Sequence, residues 1–125
     1  MAEEKKKAKV LVAEDTESNF LLVSYILRNQ YEILWAHDGV ETLELYQREN
    51  PDIILMDIRM PRLGGLATTA QIRSQDTKIP IIAVTAFAFD SDRERTLEAG
   101  CTDFLAKPIN ATALREIVEK YVDKH

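Results

Sequence analysis

Five residues suited to ionic or phosphoryl chemistry stand at the ends of short apolar runs in this sequence. They are Glu14, Asp15, Asp57, Thr85 and Lys107. Carboxylates brought together repel one another unless cations intervene, and Lys107 supplies only one positive charge. A divalent ion would supply the remainder, and all-oxygen ligation with retained waters suits Mg²⁺, with Mn²⁺ as a substitute. A carboxylate in this setting can attack phosphorus and form an acyl phosphate, so the residue types predict phosphoryl transfer.

Asp57 is the predicted nucleophile, because it stands alone at the end of its run and is flanked by both kinds of charged group. The Thr85 hydroxyl and the Lys107 ammonium would each contact an oxygen of the transferring group. The predicted metal ligands are the carboxylates of Asp15 and Asp57, the carboxylate of Glu14 through a water molecule, and the backbone carbonyl of Arg59.

The apolar runs predict strands that would bring these residues to one edge of a sheet. Residues 53–56 are almost uninterrupted in their apolar character, which is typical of a strand buried on both faces. Pro51 precedes this run, and Gly64 and Gly65 indicate a turn soon after it. The predicted strands are Ala8–Ala13, Tyr31–His37, Pro51–Asp57, Lys78–Val84 and Cys101–Ala106.

Helical spacing of apolar residues fills each interval between these strands. Asp38 followed by Glu41 resembles a capping box, Gly100 is a helix stop, and Asn110 is a helix cap. Five alternations of strand and helix predict an α/β fold, a doubly wound parallel sheet with helices on both faces. We predict the flavodoxin-like (βα)5 strand order 2-1-3-4-5, which places the ends of strands 1 and 3 side by side.

Length and composition predict one domain over residues 1–125, with a core at about 9–122 and a charged tail at 1–7. A hydrophobic content of 46% is enough for one core at this size. No apolar run approaches the roughly 18 residues of a membrane span, so we expect no membrane contact. The net charge of -5 argues against nucleic-acid binding. The single cysteine, Cys101, suits a reducing cytoplasm, and Trp35 is expected to pack on an outer strand.

With these residues in place, the sequence resembles the receiver domains of bacterial two-component response regulators. The resemblance covers about Lys9 to Val122 and is closest to receivers attached to hybrid sensor histidine kinases. One departure is Glu14, which stands where aspartate is commoner. Another is the segment Leu63-Gly64-Gly65, which replaces the usual acidic or amide residue before glycine and predicts a looser loop after Asp57. The matching segments are Val10–Asp15, Ile53–Pro61, Ile81–Ala86 and Phe104–Pro108.

The resemblance implies that Asp57 accepts a phosphoryl group from a phosphohistidine on a histidine kinase or a histidine phosphotransfer protein. It also implies Mg²⁺ at the acidic residues, a conformational switch formed by Thr85 and Phe104, and a cis peptide bond between Lys107 and Pro108. The surface of the fourth helix, fifth strand and fifth helix would carry the output and could form a dimer. The domain would lie in the cytoplasm, either free or at the cytoplasmic end of a membrane-bound hybrid kinase.

Three other functions fit the residues less well. A phosphatase or phosphotransferase enzyme that forms an aspartyl phosphate generally has a second acid two residues after its nucleophile, where this chain has Arg59. A flavodoxin-like electron carrier needs a phosphate-binding loop after strand 1, where Glu14 and Asp15 would repel a flavin phosphate. A receiver-like domain that never takes phosphate is disfavoured by the complete residue set. The expected function is therefore that of a phosphoacceptor rather than an enzyme.

Overall fold

The order of secondary structure follows the predicted alternation of strand and helix. The computed structural model describes residues 7–60, 62–86 and 90–122, and only the backbone of residues 90–92. The strands are β1 (Ala8–Ala13), β2 (Tyr31–Ala36), β3 (Ile53–Asp57), β4 (Ile81–Thr85) and β5 (Asp103–Ala106). The helices are α1 (Glu17–Leu27), α2 (Gly39–Glu49), α3 (Gly65–Arg73), α4 (Asp90–Ala99) and α5 (Ala111–Val122).

The strands form one parallel sheet in the order β2-β1-β3-β4-β5. The predicted fold class and strand order are therefore confirmed. Both faces of the sheet are covered, because every residue of β3 and β4 is buried. This burial explains why the two strands lack polar alternation in the sequence.

Alternate residues of the central strands supply two separate halves of the core. On one face, Val12 and Leu55 pack in the cluster that includes Leu114 and Val118 of α5. On the other face, Leu11, Ile54 and Met56 pack in the cluster that includes Ile72 of α3. Asp57 lies two residues after Leu55 in β3, so it shares that face of the strand. The strand that supplies the middle of the core therefore also carries the candidate nucleophile to the sheet edge.

The predicted cap residues of α2 and α5 act as helix caps. The Asp38 carboxylate accepts a hydrogen bond from the Glu41 N–H at 2.8 Å, and Glu41 in turn accepts one from the His37 N–H at 3.1 Å. The Asn110 side chain accepts from the Ala113 N–H at 3.0 Å. These bonds satisfy backbone donors that a helix leaves unpaired at its start.

The apolar side chains of α4 and α5 are buried to different extents. Leu114 and Val118 of α5 are fully buried, whereas Leu97 of α4 is 56% exposed. The sequence of α4, DSDRERTLEA, holds only one large apolar residue. Within Arg93–Ala99, the part of α4 whose side chains are described, Thr96 is the buried residue.

None of the helices in the described part of the chain has the length and apolar character required to cross a membrane.

Candidate functional site

The carboxyl ends of β1 and β3 bring the predicted acidic residues together. Ala13 of β1 pairs in register with Met56 of β3, so the residues that follow, Glu14 and Asp57, lie next to each other. Glu14 and Asp57 are buried, with relative exposures of 4% and 5%, while Asp15 is exposed. This arrangement gives a hollow with two shielded carboxylates and one that faces solvent.

The acidic residues form a group with the spacing of metal ligands. Glu14, Asp15 and Asp57 each offer a carboxylate oxygen, and these oxygens all lie within 4.8 Å of one another. Lys107, at the end of β5, reaches the same group. Its Nζ lies 3.3 Å from Asp57 Oδ2 and 3.5 Å from Glu14 Oε1. Four of the predicted site residues thus meet in one place.

The loop after β3 holds the Asp57 carboxylate from the other side. The Arg59 N–H donates to Asp57 Oδ1 at 3.0 Å, and the Gly65 N–H donates to the Ile58 carbonyl at 3.1 Å. A Cβ at Gly65 would overlap the backbone of Asp57, so this position requires glycine for the close approach. One carboxylate oxygen of Asp57 is therefore bound by the loop and the other by Lys107.

The electrostatics of the pair Glu14 and Asp57 favour a bound cation. Burial, and then the hydrogen bond and charge of Asp57, raise the pKa of Glu14 to about 7. The Thr16 N–H, which donates to Glu14 Oε2 at 3.2 Å, and the Lys107 charge act in the opposite direction but do not outweigh these effects. Lys107 offsets only part of this effect, so a further cation at the site would favour the ionised form of Glu14.

The donors of this group fit Mg²⁺. They are carboxylate oxygens, with no histidine or thiol among them, and a hard cation prefers such ligands. The exposure of Asp15 leaves room for the water molecules that Mg²⁺ retains. When bound, the ion would neutralise charge on the carboxylates and on an incoming phosphoryl group.

The predicted switch residues lie on the β4 and β5 side of the site. Thr85 ends β4 and is 5% exposed, and its carbonyl accepts a hydrogen bond from the Lys107 N–H at 2.8 Å. Phe104 of β5 pairs in register with Ala83 and is half-buried, with the Arg93 guanidinium 5.6 Å from its ring centroid. The predicted cis bond between Lys107 and Pro108 is present.

Trp35 contributes a contact to the site that the sequence did not indicate. Its indole N–H donates to the Glu14 carbonyl at 2.7 Å. Its ring stacks on Phe20 and on His37, so the predicted packing role is confirmed. Periodicity places Trp35 in a strand, but the hydrogen bond depends on how β1 and β2 are aligned.

Arg62 provides a second contact that was not predicted. Its guanidinium binds Asp38 Oδ2, with both Nε and Nη2 at 2.7 Å. Arg62 adopts a left-handed backbone conformation with φ 65, which a side-chain-bearing residue rarely adopts. Hydrogen bonds from the Glu41 N–H and from Arg62 lower the pKa of Asp38, against the effect of burial. The loop after Asp57, for which Gly64 predicted looseness, is therefore tied to the start of α2.

The comparison with protein families agrees with this geometry. Residues 10–119 match the response regulator receiver domain. The chain belongs to this family. It is 37% identical over 116 residues to the polar-differentiation response regulator DivK of Brucella anthropi, covering 90% of this chain and 94% of DivK.

Solved structures of receivers have the same fold. The receiver domain of the sensor histidine kinase PA1611 of Pseudomonas aeruginosa is 36% identical, with a TM-score of 0.87, and the match covers 94% of this chain and 98% of that one. That structure has a magnesium ion coordinated in its active site cleft. The Vibrio cholerae chemotaxis protein CheY4 is 30% identical, with a TM-score of 0.86, and the match covers 92% and 98% of the two chains.

Family membership establishes the general function of this chain. It is a phosphoacceptor receiver domain of two-component signalling, and the alternative of a phosphatase or phosphotransferase enzyme is not supported. Receivers bind Mg²⁺ in their acidic site and interact with histidine kinases or phosphotransfer proteins. They are generally not catalytic enzymes.

Proposed function

We propose that Asp57 is the residue of this receiver that accepts the phosphoryl group. The observation that carries the assignment is its central place in the acidic group: it contacts Lys107, and it lies within 4.8 Å of the oxygens of Glu14 and Asp15. Glu14 is bonded to the Thr16 N–H, and Asp15 is exposed. Glu14 has a similar pair of contacts, to Lys107 at 3.5 Å and to the Thr16 N–H at 3.2 Å. Asp57 differs in standing at the end of the central strand β3, with the shorter contact to Lys107 at 3.3 Å.

The proposed metal ligands are those expected from the sequence. Asp15 and Asp57 would bind Mg²⁺ directly, the backbone carbonyl of Arg59 would be a third protein ligand, and Glu14 would bind through water. The hydrogen bond from the Thr16 N–H to Glu14 Oε2 at 3.2 Å supports an indirect role for this carboxylate, because that oxygen is already engaged. We also propose that Mn²⁺ can replace Mg²⁺, because both accept oxygen ligands.

The transfer requires few chemical groups from the protein. An oxygen of Asp57 attacks the phosphorus of a phosphohistidine, the P–O bond forms as the P–N bond breaks, and the bonding pair returns to the imidazole nitrogen. Lys107 stabilises negative charge on one oxygen of the moving group and the Thr85 hydroxyl contacts another. Such charge stabilisation and positioning account for most of the catalysis of phosphoryl transfer.

The proposed switch connects this chemistry to the surface of the domain. Thr85 would move toward the phosphoryl oxygens, and Phe104 would rotate inward into the vacated space. The hydrogen bond between the Lys107 N–H and the Thr85 carbonyl supports this coupling, because it joins the phosphate-binding end of β5 to the end of β4. Phosphorylation then biases an existing equilibrium between two conformations.

We propose that the phosphate donor is a histidine kinase or a histidine phosphotransfer protein that docks beside α1. Three large apolar side chains of α1 are exposed, Leu21 at 55%, Leu22 at 43% and Tyr25 at 70%. This helix begins two residues after Asp15, so a partner that covers it lies close to the acceptor. We further propose that α4, β5 and α5 form the output surface and a dimer contact.

The remaining proposals concern the extent and location of the domain. The family match over residues 10–119 supports a single receiver over residues 1–125, with its core at about 9–122. The charged tail at 1–7 lies almost wholly outside the described residues. The free thiol of Cys101 supports a location in the reducing cytoplasm. If this receiver belongs to a hybrid kinase, the kinase activity resides elsewhere in the parent protein.

Mass spectrometry of the intact protein tests the assignment. Incubation with acetyl phosphate and Mg²⁺ should add the mass of one phosphoryl group, and hydroxylamine should remove it because it cleaves acyl phosphates. The Asp57→Asn variant should gain nothing, while Asp15→Asn, which keeps the acceptor, should be labelled more slowly. Undiminished labelling of Asp57→Asn would disprove the assignment.

A further inference from the structure

The end of β2 holds the peptide groups on both sides of Glu14. The Glu14 N–H donates to the Ala36 carbonyl at 2.9 Å, and the Glu14 carbonyl accepts from the Trp35 indole N–H at 2.7 Å. The first bond continues the pairing of β1 with β2. The second bond depends on the indole of Trp35, which combines a large apolar ring with an N–H donor.

The indole is held in place by rings on both sides. The Phe20 ring of α1 lies 4.2 Å from it with an interplanar angle of 3°, and the His37 ring lies 4.0 Å away at 28°. His37 is itself fixed by Glu41, whose carboxylate lies 2.7 Å from the His37 ring nitrogen. The donor atom is therefore positioned by α1 and by the capped start of α2.

The Glu14 carbonyl is part of the peptide group that also contains the Asp15 N–H. Because this group is planar, a hydrogen bond to the carbonyl fixes the plane from which the Asp15 side chain departs. Asp15 is exposed, and Glu14 has a longer side chain than aspartate. Because neither side chain is short and fully enclosed, a fixed backbone restricts the positions that their carboxylates can take. Mg²⁺ demands near-ideal octahedral geometry, whereas Ca²⁺ tolerates irregular ligands.

We propose that Trp35 is a positioning residue of the metal site: its indole N–H, clamped between Phe20 and His37, fixes the Glu14 carbonyl and thereby aligns the acidic pair for Mg²⁺ in preference to Ca²⁺. The proposal rests on the proposed function, because it presumes that the acidic group binds Mg²⁺. It assigns a role in the site to a residue of β2, a strand that supplies none of the predicted ligands.

The test compares metal affinities of the parent with those of Trp35→Phe, which keeps a ring for stacking but lacks the donor. Isothermal titration with MgCl₂ and with CaCl₂ should show Mg²⁺ affinity reduced about 3- to 10-fold, the effect of one lost hydrogen bond. Ca²⁺ affinity should change by less than about 2-fold, because Ca²⁺ accepts irregular coordination. The ratio of the two affinities is the diagnostic quantity, since loss of stability alone weakens both ions together.

Tyr46→Phe is the matched control. It removes one aromatic hydrogen-bond donor, the hydroxyl of Tyr46 in α2, which donates to Asp76 at 2.8 Å. Asp76 precedes β4, so this contact lies at the edge of the sheet opposite the acidic group. Its Mg²⁺ and Ca²⁺ affinities should equal those of the parent. Unchanged Mg²⁺ affinity in Trp35→Phe, or an equal loss for both ions, would overturn the proposal.

A measurement on the parent protein covers the case in which Trp35→Phe fails to fold. Trp35 is the only tryptophan of the chain, so its indole gives a single N–H cross-peak in a ¹⁵N-correlated NMR spectrum. This proton should exchange slowly with solvent, and its signal should shift during Mg²⁺ titration with the dissociation constant found by calorimetry. Rapid exchange together with no response to Mg²⁺ would also overturn the proposal.

The same data separate this inference from the function on which it rests. A parent that binds Mg²⁺ and is labelled at Asp57, together with a Trp35→Phe variant of unaltered ion preference, refutes only the role of Trp35. A parent that binds no Mg²⁺ refutes the metal site and the role of Trp35 together.

Discussion

The helices on either side of β5 are attached to the domain in different ways. α5 buries Leu114 and Val118 completely against the sheet, and its Tyr121 hydroxyl donates to Asp103 of β5 at 2.6 Å. In the described part of α4, the large apolar side chain, Leu97, is 56% exposed. α4 contacts β5 through the Arg93 guanidinium, which lies above the Phe104 ring. α5 is anchored by large apolar side chains in the core, whereas Thr96 is the buried residue in the part of α4 whose side chains are described.

This difference matters for how a receiver can change its surface. A helix with completely buried leucine and valine side chains cannot shift without opening a cavity, which costs several kcal/mol. A helix that buries one threonine and places a cation above a ring has less buried apolar surface to lose, so it can shift at a lower cost. α4 is therefore the part of the proposed output surface best able to move when Phe104 rotates, while α5 serves as the fixed side.

The largest expected effect comes from the same substitution made in both helices. Leu114→Ala should lower the free energy of unfolding by about 2–5 kcal/mol, because it leaves a cavity in the core. Leu97→Ala should change it by no more than about 0.5 kcal/mol, because the side chain is exposed. Urea denaturation measures both values. Equal losses would mean that α4 is anchored as firmly as α5.

A smaller effect is expected from the bond between α5 and β5. Tyr121→Phe should cost about 1 kcal/mol through loss of one hydrogen bond. The hydrogen bond to Asp103, together with burial, raises the pKa of Tyr121 to about 12 from its usual value of 10.0. A raised pKa in the folded state stabilises the fold below the unfolded value and loses that effect as pH rises from 10.0 to about 12.

Denaturation of the parent and of Tyr121→Phe across this pH range tests the predicted loss of stability at alkaline pH. The variant should lose less stability between pH 10 and 12 than the parent does. Part of the alkaline loss should persist in the variant, because the pKa of Tyr46 is also raised to about 12, by burial and by its bond to Asp76. Identical pH profiles would show that Tyr121 does not contribute.

The smallest effect should come from the contact between α4 and β5. Arg93→Gln removes the cation above the Phe104 ring and should cost about 0.5 kcal/mol, the value of an exposed cation–π contact. NMR relaxation should report faster motion of the Phe104 ring in the variant. A loss comparable with that of Leu114→Ala would contradict the view that α4 is weakly held.

The sequence predicted the strands best where apolar runs are uninterrupted. β1 matches its predicted bounds of Ala8–Ala13. β3 begins at Ile53 rather than Pro51, because Pro51 has no N–H to donate to a neighbouring strand. β4 begins at Ile81, three residues later than expected. Strand edges depend on the pairing partner, which a single apolar run does not encode.

The site was predictable because a parallel sheet brings strand ends to one edge. Glu14, Asp57 and Lys107 meet there as expected. The contacts of Trp35 and Arg62 were not predictable, since one depends on the pairing of β1 with β2 and the other on a left-handed backbone at Arg62. Neither feature leaves a periodic signal in the sequence.

The polar sequence of α4 has a consequence for how receivers of this kind diverge. Substitutions on a helix with little buried apolar surface are nearly neutral for folding, so they accumulate without loss of the domain. The acceptor residues are constrained by geometry and α5 by the core. A lineage can therefore acquire a new downstream partner by changing α4 while its phosphate chemistry stays the same.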